Sequence, residues 1–245
     1  MNAVVEKQVY ISRWTFKHLP LVFHPIIMVI ISGAMTLLFG QETPPISTFH
    51  SSQYRAHNQN WDISQAKDQL IYTANSDGLL QFDGTVWKLY PLPNGQIVRT
   101  ALANAGSNKK LRKQPDDFAE DRIYVGGFGE FGYWLKNKNG ALEYNSLSKN
   151  LKLQSLDTEE IWHILRTDDY IYFQSFAYIY RYDGQTITEI KGSTSFMFLK
   201  EANKKLLIQF IGAGLYELKD TQFVAVAGTQ ALSHTTVTSI IALGK

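Results

Sequence analysis

The chain has 245 residues, 44% of them hydrophobic and 13% aromatic, with only 19% charged; this mixture excludes a disordered or coiled-coil chain and favours half-buried pleated surfaces. The net charge is +2, and Lys7, Arg13 and Lys17 against Glu6 account for all of it, so residues 42–245 balance with 21 basic and 21 acidic side chains. Such a balance speaks against a nucleic-acid-binding face, and the lack of cysteine excludes disulfides, thiolate metal sites and a cysteine nucleophile.

The first predicted element is a targeting segment, residues 1–41. A weakly basic lead (1–19) runs into an apolar stretch (25–39) that Gly40, Gln41 and Glu42 end. That stretch is short of the ~20 apolar residues needed to span a bilayer as a helix. It fits the apolar core of a secretory signal peptide. Cleavage is expected near Gly40 and Gln41, with retention as an N-terminal membrane segment as the alternative. Either way residues 42–245 are expected to be exported, to the periplasm or cell envelope, touching a membrane only through the N-terminal segment.

A repeat follows. Residues 70–87 (LIYTANSDGLLQFDGTVW) and 170–187 (YIYFQSFAYIYRYDGQTI) each carry Ile-Tyr, a gap, then an alternating run ending in aromatic–Asp–Gly. Further copies start at Ile123 and Leu207, so the anchors Ile71, Ile123, Ile171 and Leu207 stand 52, 48 and 36 residues apart. In the first copy the spacing predicts four strands, at 61–65, 70–74, 78–82 and 85–90. The Asp-Gly pairs predict tight type I′ hairpins. No segment between strands has helical periodicity, which leaves no support for parallel βαβ units. Polar stretches at 104–120 and 136–157 read as long surface loops. Residues 236–243 (TVTSIIAL) resemble the first strand of a fifth unit. Serial four-stranded units of this size predict an all-β fold, a β-propeller, with about four blades of a larger, seven-bladed ring.

Few motifs carry chemistry. Gly127-Phe128-Gly129-Glu130-Phe131-Gly132 spells GxGxxG, but a dinucleotide site needs a helix to open there, whereas Tyr133-Trp134-Leu135 continues as strand. His50, His57, His163 and His234 lack metal-ligand spacing, and Glu159-Glu160 and Asp168-Asp169 read as solvated turn acids. No cofactor, metal or catalytic set is expected. Trp61, Arg99 and Trp162 fall in or at the start of predicted innermost strands, whose ends line a propeller's channel and its mouths. Aromatic and guanidinium groups there can stack on or hydrogen-bond a ligand; packing between blades is the alternative role for the tryptophans.

The run 44–63, then IYTANSDGLLQFDGTVWKLYPLPNGQIVRT (71–100), DRIYVGGFGEFGYW (121–134), EIWHI (160–164) and IYFQSFAYIYRYDG (171–184) resembles the two-component-regulator propeller, or triple-tyrosine-motif, sensor family of Bacteroidetes. The resemblance covers about 44–228. It implies an exported sensor propeller followed, in that family, by a β-sandwich, a membrane helix and a histidine-kinase or LuxR-type output, none of which these residues contain. It also implies a ligand, in some members derived from carbohydrate. The expectation is thus an extracytoplasmic ligand-sensing propeller, not an enzyme, occupying residues 42–245. A secreted propeller lyase or hydrolase, or a protein-interaction module, is the alternative. Open blade edges predict self-association.

Overall fold

Each short alternating run of the sequence forms a strand, and the turn residues between runs reverse the chain. The computed structural model describes residues 46–103, 122–149, 151 and 155–242. After a one-turn helix, α1 (Ser51–Tyr54), come β1 (Asn60–Gln65), β2 (Ile71–Asn75), β3 (Gly78–Phe82) and β4 (Trp87–Tyr90). The second group is β5 (Val98–Ala103), β6 (Ile123–Gly127), β7 (Glu130–Lys136) and β8 (Leu142–Ser146). The third is β9 (His163–Arg166), β10 (Ile171–Gln174), β11 (Tyr178–Tyr182) and β12 (Ile187–Lys191), and the fourth β13 (Lys200–Ala202), β14 (Lys205–Gln209), β15 (Leu215–Lys219) and β16 (Gln222–Ala225). Every group is a four-stranded antiparallel meander whose strands pair only with their sequence neighbours.

The sheets pack face to face in chain order, because alternation gives each one two faces. Tyr72, Ala74 and Leu79 of the first sheet meet Ala101, Val125 and Trp134 of the second. Tyr124 and Phe131 then meet Phe173 and Tyr180, and Tyr172, Ile179 and Ile190 meet Ile208, Phe210 and Leu218. Aromatic rings dominate these seams: Phe131 stacks on Phe173 at 4.6 Å and on Tyr180 at 5.2 Å between centroids. Contacts of that kind add about 0.5–1.5 kcal/mol to burial alone. Side chains also tie first strands together. Asp62 accepts from Thr100 Oγ1 at 2.8 Å and from the Ala101 amide at 3.1 Å, and Ser64 Oγ accepts from the Ala103 amide at 2.9 Å. Gly126 has no room for a Cβ because the Ile161 side chain fills the space.

Three expectations change. The Asp-Gly turns are not type I′. That turn needs positive φ at both central residues, and here only the glycines have it, Gly84 at 97° and Gly184 at 100°. Instead Asp83 Oδ1 accepts from the amides of Thr85 (2.8 Å) and Val86 (2.7 Å), and Asp183 Oδ1 from those of Gln185 (2.9 Å) and Thr186 (2.7 Å). The carboxylate organises a four-residue loop between strands. Residues 136–157 are not one loop either, since they contain β8. It is polar because it is an outer strand; Leu142 and Tyr144 turn inward toward Trp134, and Ser146 on the same face is half-buried. Residues 236–242 form no strand, for among the described residues they pair with no other strand.

The 104–120 stretch and the apolar run 25–39 lie outside the described residues. Among the described residues no helix is long and apolar enough to cross a membrane.

Candidate functional site

In an antiparallel meander the first strand starts at the same end where the second turns into the third. Trp61 is the second residue of β1, Arg99 the second of β5, and Trp162 immediately precedes β9. The three side chains singled out in the sequence therefore come from three successive sheets and meet at one end of them. The Arg99 guanidinium packs against both indoles, with Cζ 4.0 Å from the Trp61 ring centre and 4.8 Å from that of Trp162. The indoles meet edge to face at 6.0 Å. Trp61 Nε1 donates to Ser76 Oγ at 3.0 Å, which fixes the ring's orientation.

Glu160 completes the cluster and corrects its reading as a solvated turn acid. Its Oε1 accepts from Arg99 Nε at 2.5 Å, and both side chains are largely buried. A guanidinium facing two indoles in a partly dry setting needs a counter-charge, and Glu160, two residues before Trp162, is placed to supply it. The spacing Glu160-x-Trp162 was the available signal.

The rings continue past Trp162. Phe176, in the β10–β11 turn, lies 6.1 Å from Trp162; Phe198, just before β13, stacks on Phe176 at 5.8 Å; and His163 stacks on Phe198 at 5.2 Å. The row therefore touches all four sheets. Phe176, Phe198 and His163 were not singled out, since no sequence pattern marks turns of separate repeats as neighbours. His163 Nε2 donates to the Leu199 carbonyl at 3.1 Å. Burial, aided by nearby Lys200, pushes its pKa down to about 4 in spite of that bond, so it is neutral at pH 7.

Much of this surface is open. Trp61 is 40% exposed and Phe176 38%. Beyond Trp61 lies a cavity of about 470 Å³ lined by Tyr54, Trp61, Ile63, Thr73, Leu80 and Trp87 among others. Exposed ring faces beside a paired guanidinium and carboxylate can stack on the apolar face of a ring and hydrogen-bond its polar edge. The GxGxxG stretch forms the end of β6, a turn at Phe128-Gly129 and the start of β7, with no helix to hold a phosphate. Among the described residues no group of three or more His, Asp or Glu is placed to hold a metal.

The chain matches no protein-family model and no curated protein. Solved structures do resemble it. The extracellular domain of the hybrid two-component system BT3049 from B. thetaiotaomicron superposes with a TM-score of 0.54 at 17% identity, over 75% of this chain and 27% of that one. The extracellular domain of the one-component system BT4673 from B. thetaiotaomicron gives 0.53 at 14% identity, over 81% and 25%. Virginiamycin B lyase from Staphylococcus aureus gives 0.48 at 12%, over 70% and 58%. The chain thus spans about a quarter of the length of the two sensor domains. The likeness is one of fold: an all-β, propeller-type array of four four-stranded blades.

Proposed function

We propose that residues 42–245 are a ligand-sensing propeller region of an exported signalling protein of the two-component or LuxR-type kind. Its ligand binds where the blades' innermost strands begin. The observation that carries this reading is the convergence of Trp61, Arg99 and Trp162, from three blades, on one half-open surface. The Trp61 indole, 40% exposed at a strand start beside Arg99, leaves a ring face open to a stacking ligand. The fold-level likeness to extracellular sensor domains supports the signalling context.

The ligand class is carbohydrate-derived. Sugar rings offer an apolar face to Trp61 and Phe176, and hydroxyls to the Arg99–Glu160 pair. The role is binding rather than turnover, because the carboxylate in the cluster, Glu160, is tied to Arg99 Nε and poorly placed to carry a proton to a substrate. Titration of a panel of neutral and acidic oligosaccharides, followed by tryptophan fluorescence and calorimetry, tests both points. Binding that weakens at least about tenfold in Trp61→Ala is expected. Absence of binding across the panel, or affinity indifferent to Trp61→Ala, would sink the site; release of cleaved products would sink the non-enzymatic reading.

A further inference from the structure

Two of the three side chains that meet at the proposed ligand face sit at breaks in strand pairing. In β1, Asn60 lies opposite Asn75 and Asp62 opposite Ala74, which leaves Trp61 as an extra residue between them. In β5, Val98 lies opposite Gly127 and Thr100 opposite Gly126, and the extra residue is Arg99. A bulge of this kind bends its strand and re-aims the side chain it carries. The two bulged residues are the pair whose guanidinium and indole lie 4.0 Å apart.

Gly127, the last residue of β6, stands behind both halves of the ion pair. On one side a Cβ there would collide with the backbone carbonyl oxygen of Ile97, two residues before Arg99. On the other, its carbonyl accepts from the Ile161 amide at 2.9 Å, and the Gly129 amide donates to the Glu159 carbonyl at 2.9 Å. These bonds form an isolated antiparallel bridge that sets Phe128 opposite Glu160. Gly129 makes the turn at a φ of 63°, which β-branched residues resist. The second strands of the third and fourth blades end instead in Gln174 and Gln209. Gln174 secures the next blade through its side chain, to the Met197 carbonyl and the Leu199 amide at 2.7 Å each. The second blade achieves this with backbone alone, and leaves the space to the chain that leads into Arg99.

We propose that Gly127, with Gly129, is a positioning residue of the ligand site. Its missing side chain admits the bulge that presents Arg99, and its carbonyl fixes the bridge that brings Glu160 onto that guanidinium. The GxGxxG stretch thereby acquires a role that needs no phosphate. That role rests on the ligand reading above, yet the geometry behind it can be measured without a ligand.

Double-mutant cycles of Arg99→Ala and Glu160→Ala in urea unfolding, run in the wild type and in Gly127→Ala, read the ion pair directly. The coupling found in the wild type should vanish in Gly127→Ala. A glycine that merely packs would lower overall stability and leave the coupling intact, which would overturn the proposal. If Gly127→Ala does not fold, the same cycles in Gly129→Val and Gly129→Asn decide. A Cβ on Gly129 would meet only the Leu156 carbonyl, at an ordinary 3.6 Å, so these variants differ in tolerance of positive φ. Valine should abolish the coupling and asparagine keep it; equal coupling in the two overturns the proposal. Titration with an oligosaccharide that binds the wild type should show affinity at least about tenfold weaker in Gly127→Ala and Gly129→Val and unchanged in Gly129→Asn. Lost coupling with unaltered affinity would remove Gly127 from the ligand site. If the wild type binds no oligosaccharide, the ligand reading falls, and the coupling still decides whether Gly127 places Glu160 on Arg99.

Discussion

The guanidinium carbon of Arg99, on the second blade, lies 4.0 Å from the ring centre of Trp61 on the first. The same group is ion-paired to Glu160, which precedes the third blade. One side chain thus couples three blades. Removing it leaves a largely buried carboxylate unpaired and two indole contacts unmade, so Arg99→Ala should cost about 2–3 kcal/mol in urea unfolding. Arg99→Lys should recover only part of this, since an ammonium lacks the planar face and the fixed Nε–H donor of the guanidinium. In a double-mutant cycle Arg99→Ala and Glu160→Ala should be less than additive. Additive losses would show that the pair does not act as a unit.

How much of this is legible in the sequence follows from the range of each interaction. Strands and their order are local matters of alternation and turn residues, so Gly78–Phe82 was readable to the residue. Trp61, Arg99 and Trp162 could be placed at strand starts for the same reason, and repetition of the unit then implied that those starts cluster. Phe176 and Phe198 escaped because their proximity depends on how turns of separate blades pack. β8 escaped because an outer strand facing water on one side has loop-like composition. The turn type escaped because Asp-Gly encodes two geometries. The Asp carboxylate's capture of two amides, rather than positive φ at Asp, decided between them.

That capture gives a second prediction. Thr85 and Val86 amides and the Thr85 hydroxyl all donate to Asp83, and the Val86 bond is the main reason its carboxyl titrates below the ordinary value. At Asp183 burial acts in the opposite sense, but bonds from Thr186 and Gln185 outweigh it and the pKa again falls. A carboxyl depressed in the folded state contributes stability that is complete above its unfolded pKa, near 4, and is lost as pH falls through the folded one. Asp183→Ala should therefore lower stability by about 1–2 kcal/mol at pH 7. Its deficit relative to wild type should shrink in acid. A deficit constant from pH 7 to pH 2 would rule out the carboxylate as the cause.

Two phenylalanines three residues apart should behave oppositely. Phe131 is fully buried between Phe173 and Tyr180 in the seam of the second and third blades, while Phe128, in the turn just before, is 50% exposed. Phe131→Ala opens a cavity and should destabilise by about 3–5 kcal/mol, whereas Phe128→Ala should stay within about 0.5 kcal/mol. Chemical denaturation of both variants checks the assignment of the seam. Comparable losses at the two sites would contradict it.

His163 makes the pH dependence of the ring row readable. Its folded pKa, about 4, lies below the 6.5 of an unperturbed histidine because burial, and then Lys200, disfavour the imidazolium. Above pH 6.5 the side chain is neutral in both folded and unfolded chains and contributes no slope. Between 6.5 and 4 the unfolded chain takes up a proton that the folded chain refuses, so stability falls as pH falls through this window. Below 4 both forms are protonated and the slope ends. The full loss is of order 3 kcal/mol. In His163→Phe, which keeps a ring against Phe198 but cannot titrate, the 6.5-to-4 component should disappear. A constant cost should appear instead, from the Leu199 carbonyl left without its donor. Because the depressed carboxyls of Asp83 and Asp183 titrate below that range, the variant's stability between pH 6.5 and 5 should be nearly flat. A wild-type slope persisting there would assign the pH dependence to another group and return His163 to a purely packing role.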